Sequence, residues 1–138
     1  MSMSTDVFYY SKGGNTEKLA NALSKVLGVT AKDVSNDLVR PVDIVFLGAS
    51  VYAGSPAPEV TAFLKRNADK IGKLVVFGSS ASGKTVLKKL TSAGKELGIE
   101  VMEECFSCPG HFLFMHKGRP NQEDLENLQK FARNIVQK

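Results

Sequence analysis

Three stretches rich in glycine and hydroxyl residues hold most of the side chains that could do chemistry in this sequence. Ser11, Lys12, Gly13, Gly14, Asn15 and Thr16 lie directly between an apolar run and the start of a helical pattern. Glycines there let backbone N–H groups converge, the hydroxyls of Ser11 and Thr16 can donate, and a helix N-terminus favours negative charge. That combination suits a phosphate monoester, although the same residues would also make a plain glycine turn with a polar cap. In the second stretch, Gly48, Ala49, Ser50, Val51, Tyr52, Ala53 and Gly54 set one aromatic ring among small residues. A flat ligand would give Tyr52 a stacking partner. The third runs Gly78, Ser79, Ser80, Ala81, Ser82, Gly83, Lys84, Thr85 and fits the P-loop pattern in full. On that reading Lys84 would serve the phosphates of a nucleoside triphosphate and Thr85 a magnesium ion.

Other constellations carry less. Cys105 and Cys108 spell C-x-x-C inside an extended run, where residues three apart face opposite ways, so they read as packed thiols. Two cysteines do not complete a structural zinc site. His111 and His116 fall in an unpatterned stretch, with no acid–base partner visible in the sequence. A phosphoacceptor receiver would need acidic residues at the end of the first strand and an Asp after the third. Tyr9, Tyr10, Gly48 and Ala49 stand there instead. The triphosphate reading is weakened by the residues C-terminal to Thr85, which hold one further strand and no apolar run ending in Asp to support a metal.

Five apolar, β-branched runs would position these loops, at residues 7–10, 29–34, 42–47, 74–77 and 99–106. The first, third and fourth are nearly continuous, as expected of strands buried on both faces of a parallel sheet. The second and fifth are more polar and read as edge strands. Helical stripes separate them: Leu19, Leu23, Val26 and Leu27, then Val60, Phe63, Leu64 and Ile71 after Pro58, then Val86, Leu87, Leu90 and Leu97. At the end, Asn121 with Asp124 reads as a cap before Leu125, Leu128, Ala132 and Ile135. Residues 35–41 are too few for the usual parallel crossover, so any helix there should be little more than a turn. Strands alternating with helices imply a parallel sheet covered on both faces, with ligands bound beyond the carboxyl ends where strand order reverses.

Length and charge bound the rest. The 138 residues, 43% apolar and 23% charged, suit one globular domain over 1–138 and exclude a disordered chain. No apolar run is long enough for a membrane span, and the start lacks the pattern of a signal peptide. With only two cysteines, a cytoplasmic, reduced protein is expected. The net charge of +4 comes entirely from residues 59–100, with eight positive charges against four negative, densest at Lys84, Lys88, Lys89 and Lys95. No aromatic residues interleave these cations, so nucleic acid is not the expected partner.

Taken together, the loop from Ser11 to Thr16, Gly48 with Ser50 and Tyr52, and the loop after the fourth strand resemble the flavodoxin family. The segment around Phe106 to Gly110 and from Gly118 to Leu125 is similar to small flavodoxin-like proteins. The resemblance implies a three-layer α/β sandwich with a five-stranded parallel sheet in the order 2-1-3-4-5. It implies FMN as cofactor, held noncovalently by the loops after strands 1, 3 and 4. Carried over, Ser11, Lys12, Gly13, Gly14, Asn15 and Thr16 would hold the phosphate. Ser50, Val51, Tyr52, Ala53 and Gly54 would lie against the isoalloxazine, and Ser79, Ser80, Ala81, Ser82 and Gly83 along its other edge. The sequence departs from the family at Gly13, where a hydroxyl residue is common, and at Ala53, where glycine often stands. The implied activity is electron transfer to redox partner proteins or a small acceptor. A small FMN-dependent reductase of quinones, or a module of this fold that has lost FMN, are the alternatives.

Overall fold

The apolar runs form strands because each alternates its side chains between two hydrophobic layers. In a computed structural model of the chain, residues 4–10, 14–50, 57–79, 85–108 and 121–136 are described. The strands are β1 (Thr5–Tyr10), β2 (Ala31–Asp33), β3 (Val42–Ser50), β4 (Ile71–Ser79), β5 (Glu100–Val101) and β6 (Phe106–Cys108). The helices are α1 (Asn15–Leu27), α2 (Pro58–Asn67), α3 (Thr85–Glu96) and α4 (Gln122–Val136). All pairings are parallel, in the order β2-β1-β3-β4-β5, with β6 also on β4. The expected order 2-1-3-4-5 is therefore the one observed.

Period-two alternation sorts the core. Val7, Ile44, Phe46, Val75 and Phe77 point into the layer filled by Leu19, Ala20 and Leu23 of α1 and Leu128, Ala132 and Ile135 of α4. Phe8, Val45, Leu47, Leu74 and Val76 point the other way, toward Val60, Phe63 and Leu64 of α2 and Leu90 of α3. Phe8 and Phe63 meet there with ring centroids 4.6 Å apart. Ahead of α4, Asn121 Oδ1 accepts from the Asp124 N–H at 3.0 Å and Asp124 Oδ2 accepts from the Asn121 N–H at 2.9 Å. This reciprocal cap is the one the sequence pointed to.

Three expectations are corrected. The run at 99–106 makes two short strands, not one, because the chain leaves the ladder after the Met102 N–H donates to the Leu74 carbonyl at 2.9 Å and rejoins it at Phe106. Met102 there packs toward the α1/α4 layer and Cys105 toward the other. Ile71 opens β4 and does not extend α2, since a short 3-10 turn, Ala68–Lys70, separates them. Leu97 is 36% exposed, because α3 ends at Glu96 and its inward positions are Leu90 and Gly94. A Cβ on Gly94 would stand 2.9 Å from Val101 Cγ2, so the helix rides close on the sheet edge.

No helix joins β2 to β3, and the geometry gives the reason. Asp33 is level with Tyr9, and Tyr9 with Gly48, so the chain must return six residues to Val42 while crossing β1. That path is about 22 Å at ~3.3 Å per residue and ~4.8 Å per strand spacing. The nine steps from Asp33 to Val42 span about 30 Å extended but only about 13 Å as a helix. The crossover is therefore extended, and Val34 and Leu38 bury themselves over Phe8 where a helix would otherwise lie. Residues from α2 hold it down. Asn67, fully buried, accepts from the Leu38 N–H at 2.9 Å and donates to Asp37 and to the Phe63 carbonyl. Arg66 donates to Asp37 and to the Val34 carbonyl, both at 2.8 Å, and Lys70 donates to the Leu38 carbonyl.

Candidate functional site

Parallel strands bring their carboxyl ends to one edge, and β1, β3, β4 and β6 end there at Tyr10, Ser50, Ser79 and Cys108. Each is followed by a segment leading to a helix start, at Asn15, Pro58, Thr85 and Gln122. Strand order reverses beside β1, which lies between β2 and β3, so the crevice of such a sheet opens next to the start of α1.

A row of residues level across the sheet fixes that helix start. Tyr9, Gly48, Phe77 and Phe106 stand side by side on β1, β3, β4 and β6. Three of the four are aromatic and pack on the α1/α4 layer, so glycine leaves a gap between Tyr9 and Phe77. Thr16, fully buried in the first turn of α1, fills it. A Cβ on Gly48 would lie 2.5 Å from Phe77 Cε2 and Cζ and 2.8 Å from Thr16 Cγ2. The gap thus seats α1 on the sheet at its carboxyl edge. Gly14, with φ of 85°, turns the incoming chain into α1 and offers no side chain to cap the first N–H groups.

One carboxylate stands in the same turn. The Tyr9 hydroxyl donates to Glu17 Oε2 at 3.4 Å, and burial followed by the Glu17 charge pushes the Tyr9 phenol above its ordinary pKa. A phenol that keeps its proton remains a donor, so it draws Glu17 toward β1.

Among the expected site residues, Gly14 and Thr16 come together here. Asn15, Ser50 and Ser79 are located by their backbone at the same edge. Ser11, Lys12, Gly13, Val51, Tyr52, Ala53, Gly54, Ser80, Ala81, Ser82 and Gly83 lie outside the described residues, as do Lys84, His111 and His116. Cys105 is a half-buried free thiol. Among the described residues no group of His, Cys, Asp and Glu is arranged to hold a metal, and no helix is long and apolar enough to cross a membrane. Sequence reading passed over the pairing of Gly48 with Phe77. Its only signal was a glycine inside a strand otherwise filled with large apolar residues.

A doubly wound three-layer α/β fold with its crevice at the β1/β3 reversal defines the class of nucleotide- and flavin-type folds with parallel sheets. Within it, a family model described as a flavodoxin domain matches residues 7–97, about two thirds of the chain, and the protein belongs to that family. An uncharacterised protein of Methanocaldococcus jannaschii is 26% identical over 88% of this chain and 90% of its own length. Among solved structures, flavodoxin 2 of Bacillus cereus is similar with a TM-score of 0.70 and 22% identity, over 97% of this chain and 98% of that one. A flavoprotein in complex with FMN from Lactobacillus acidophilus gives 0.62 and 15%, over 77% and 93%. At these identities the structural likeness is one of fold.

Proposed function

We propose that the protein binds FMN noncovalently at the carboxyl edge of its sheet and serves as an electron carrier. The observation that carries the reading is the seating of α1, with Thr16 sunk into the Gly48 gap and Gly14 in the left-handed conformation at the strand-order reversal. Family membership and the FMN complex of a protein with the same fold support it further.

The residues present fit the group. A flavin phosphate needs N–H donors converging at a helix start, and the start of α1 behind a positive-φ glycine with no capping side chain of its own has that form. Ser11 and Asn15 would add side-chain donors, and Lys12 a charge. Glu17 is an unfavourable neighbour in the same turn, and the Tyr9 hydroxyl binds it. Tyr52 would cover one face of the ring and exclude water from it, with residues 79–83 along the opposite edge. When bound, FMN supplies the capacity to accept and release electrons, and the chain's part is to hold, orient and shield it. Delivery to a separate redox protein is the step this reading assigns to its surface.

Titration with FMN tests the reading. Flavin fluorescence should be quenched at one equivalent, with riboflavin, which lacks the phosphate, held about a hundredfold more weakly (~3 kcal/mol for a charge-assisted phosphate cluster). No quenching, or equal affinity for riboflavin, would sink the assignment. Steady NAD(P)H oxidation by the loaded protein alone would favour a reductase over a carrier.

A further inference from the structure

The eight cations of residues 59–100 do different work. Arg66 and Lys70 strap down the crossover, and Lys73 pairs with Glu100 at 3.6 Å on the sheet edge. The fold uses those three. Lys88, Lys89 and Lys95 on α3 are all exposed. Lys88 and Lys95, seven residues apart, share one helix face with Ser92 between them, about 10 Å apart along the axis. That face is opposite the one burying Leu90. Neither Lys88 nor Lys95 has an ion-pair partner among the described residues. Lys65, exposed on the neighbouring α2, has none there either.

The rest of α3 does not offset this charge. Its only carboxylate is Glu96, at the last position. The first turns of α1, α2 and α4 carry Glu17, Glu59, and Glu123 with Asp124, whereas α3 has no acidic residue in its first turn. Lys88 therefore adds to the positive end of the helix dipole, at the end of α3 that follows β4 at the carboxyl edge, and Lys95 extends the positive face to the last turn. A shallow depression of about 340 Å³, lined by Lys88, Lys89, Ser92, Ala93 and Glu96, gives an incoming side chain a seat beside them.

We propose that the exposed face of α3 is the docking surface for an acidic protein partner, whose carboxylates meet Lys88 and Lys95 while its redox centre faces the carboxyl edge of the sheet. This rests on the electron-carrier reading. The patch is one helix long, mixes a serine and a carboxylate with its cations, and carries no aromatic side chain among the described residues. That composition suits a few carboxylates on a folded surface more than a phosphate backbone. Orientation by charge would raise the rate of productive encounter and make it fall with salt.

The test compares the wild type with the Lys88→Glu/Lys95→Glu variant, both first titrated with FMN. Equal FMN affinity shows the variant folded and the cofactor site intact. Failure of both to bind FMN overturns the carrier reading, while the docking surface is still read by binding of a fluorescein-labelled poly-L-glutamate. The wild type should bind this probe at low ionic strength and lose it as salt rises, and the variant should bind at least about tenfold more weakly. In the FMN-loaded, pre-reduced protein, reoxidation by ferricyanide should slow about tenfold in the variant at low salt and converge with the wild type at high salt. Equal poly-L-glutamate binding by the two proteins, or ferricyanide rates that do not depend on the substitutions, would overturn the docking surface. So would tighter binding of a DNA duplex or of anionic phosphatidylserine vesicles than of poly-L-glutamate.

Discussion

Replacing Gly48 by alanine tests how the start of α1 is held. The added Cβ would stand 2.5 Å from two carbons of the Phe77 ring and 2.8 Å from Thr16 Cγ2. Comfortable carbon–carbon contact is about 3.5–4.0 Å, so ring and helix must each yield by roughly an ångström. Overpacking of this kind costs about 1–3 kcal/mol. Alanine recovers about 0.5–1 kcal/mol of the entropy that glycine loses in a strand, leaving a net loss of about 1 kcal/mol at the middle of these ranges. With a urea m-value near 2 kcal/mol/M, the unfolding midpoint should fall by about 0.5 M. Circular dichroism during urea titration measures it, and FMN affinity should weaken with the displaced first turn. Trimming the ring in Gly48→Ala/Phe77→Leu should recover part of the loss relative to Phe77→Leu alone. A Gly48→Ala protein that unfolds at the wild-type urea concentration and binds FMN equally well would refute the argument.

Two further outcomes concern the crossover. Asn67→Ala removes the acceptor of the buried Leu38 N–H together with the donors to Asp37 and Phe63, and should cost about 2–3 kcal/mol in urea unfolding. Asp37 is held below its ordinary pKa of 3.8 by hydrogen bonds from Arg66 and then Asn67, with the Arg66 and Lys70 charges adding to them. Because the folded value is the lower one, the stabilisation is present above the ordinary value and is lost as pH falls through the folded value. Asp37→Asn should therefore flatten the acid limb of a urea-midpoint profile below about pH 4. An unchanged acid limb would show that the Arg66–Asp37 contact, with both side chains about half exposed, is too well screened to matter.

The elements most legible in the sequence were those whose residues report their surroundings locally. The run from Val42 to Leu47 is apolar at nearly every position because both sheet faces are covered, and that condition can be read from composition alone. The Asn121–Asp124 cap is equally local, two residues satisfying each other's N–H. The crossover was legible only as a shortage of residues. What replaces its helix is set by Arg66 and Asn67, some thirty positions later, and no local pattern announces such a pairing. The split after Met102 was hidden because Met102 and Cys105 are apolar enough to continue a strand and pack into opposite layers as residues three apart on a strand would. At the candidate site, glycines and hydroxyls pointed to the carboxyl edge, while the reason α1 can settle there depends on the register that sets Gly48 beside Phe77.

The extended crossover also sets how parts of this protein open together. A short turn on Asp33 holds its Ser35 and Asn36 N–H groups, but the Val34 carbonyl and both backbone groups of Leu38 depend on Arg66, Asn67 and Lys70, so the crossover and the end of α2 support each other. Releasing it would uncover Phe8 and Phe63 in the same event and leave β2 held by its pairing to β1 and by Ala31 against the α1/α4 layer. The β2 edge, the crossover and α2 therefore constitute one cooperative unit, whose closure must wait for contacts between residues about thirty apart. The start of α1, seated on β3 on the opposite face, lies outside that unit, so Thr16 can keep its place in the Gly48 gap while the far side of the sheet breathes.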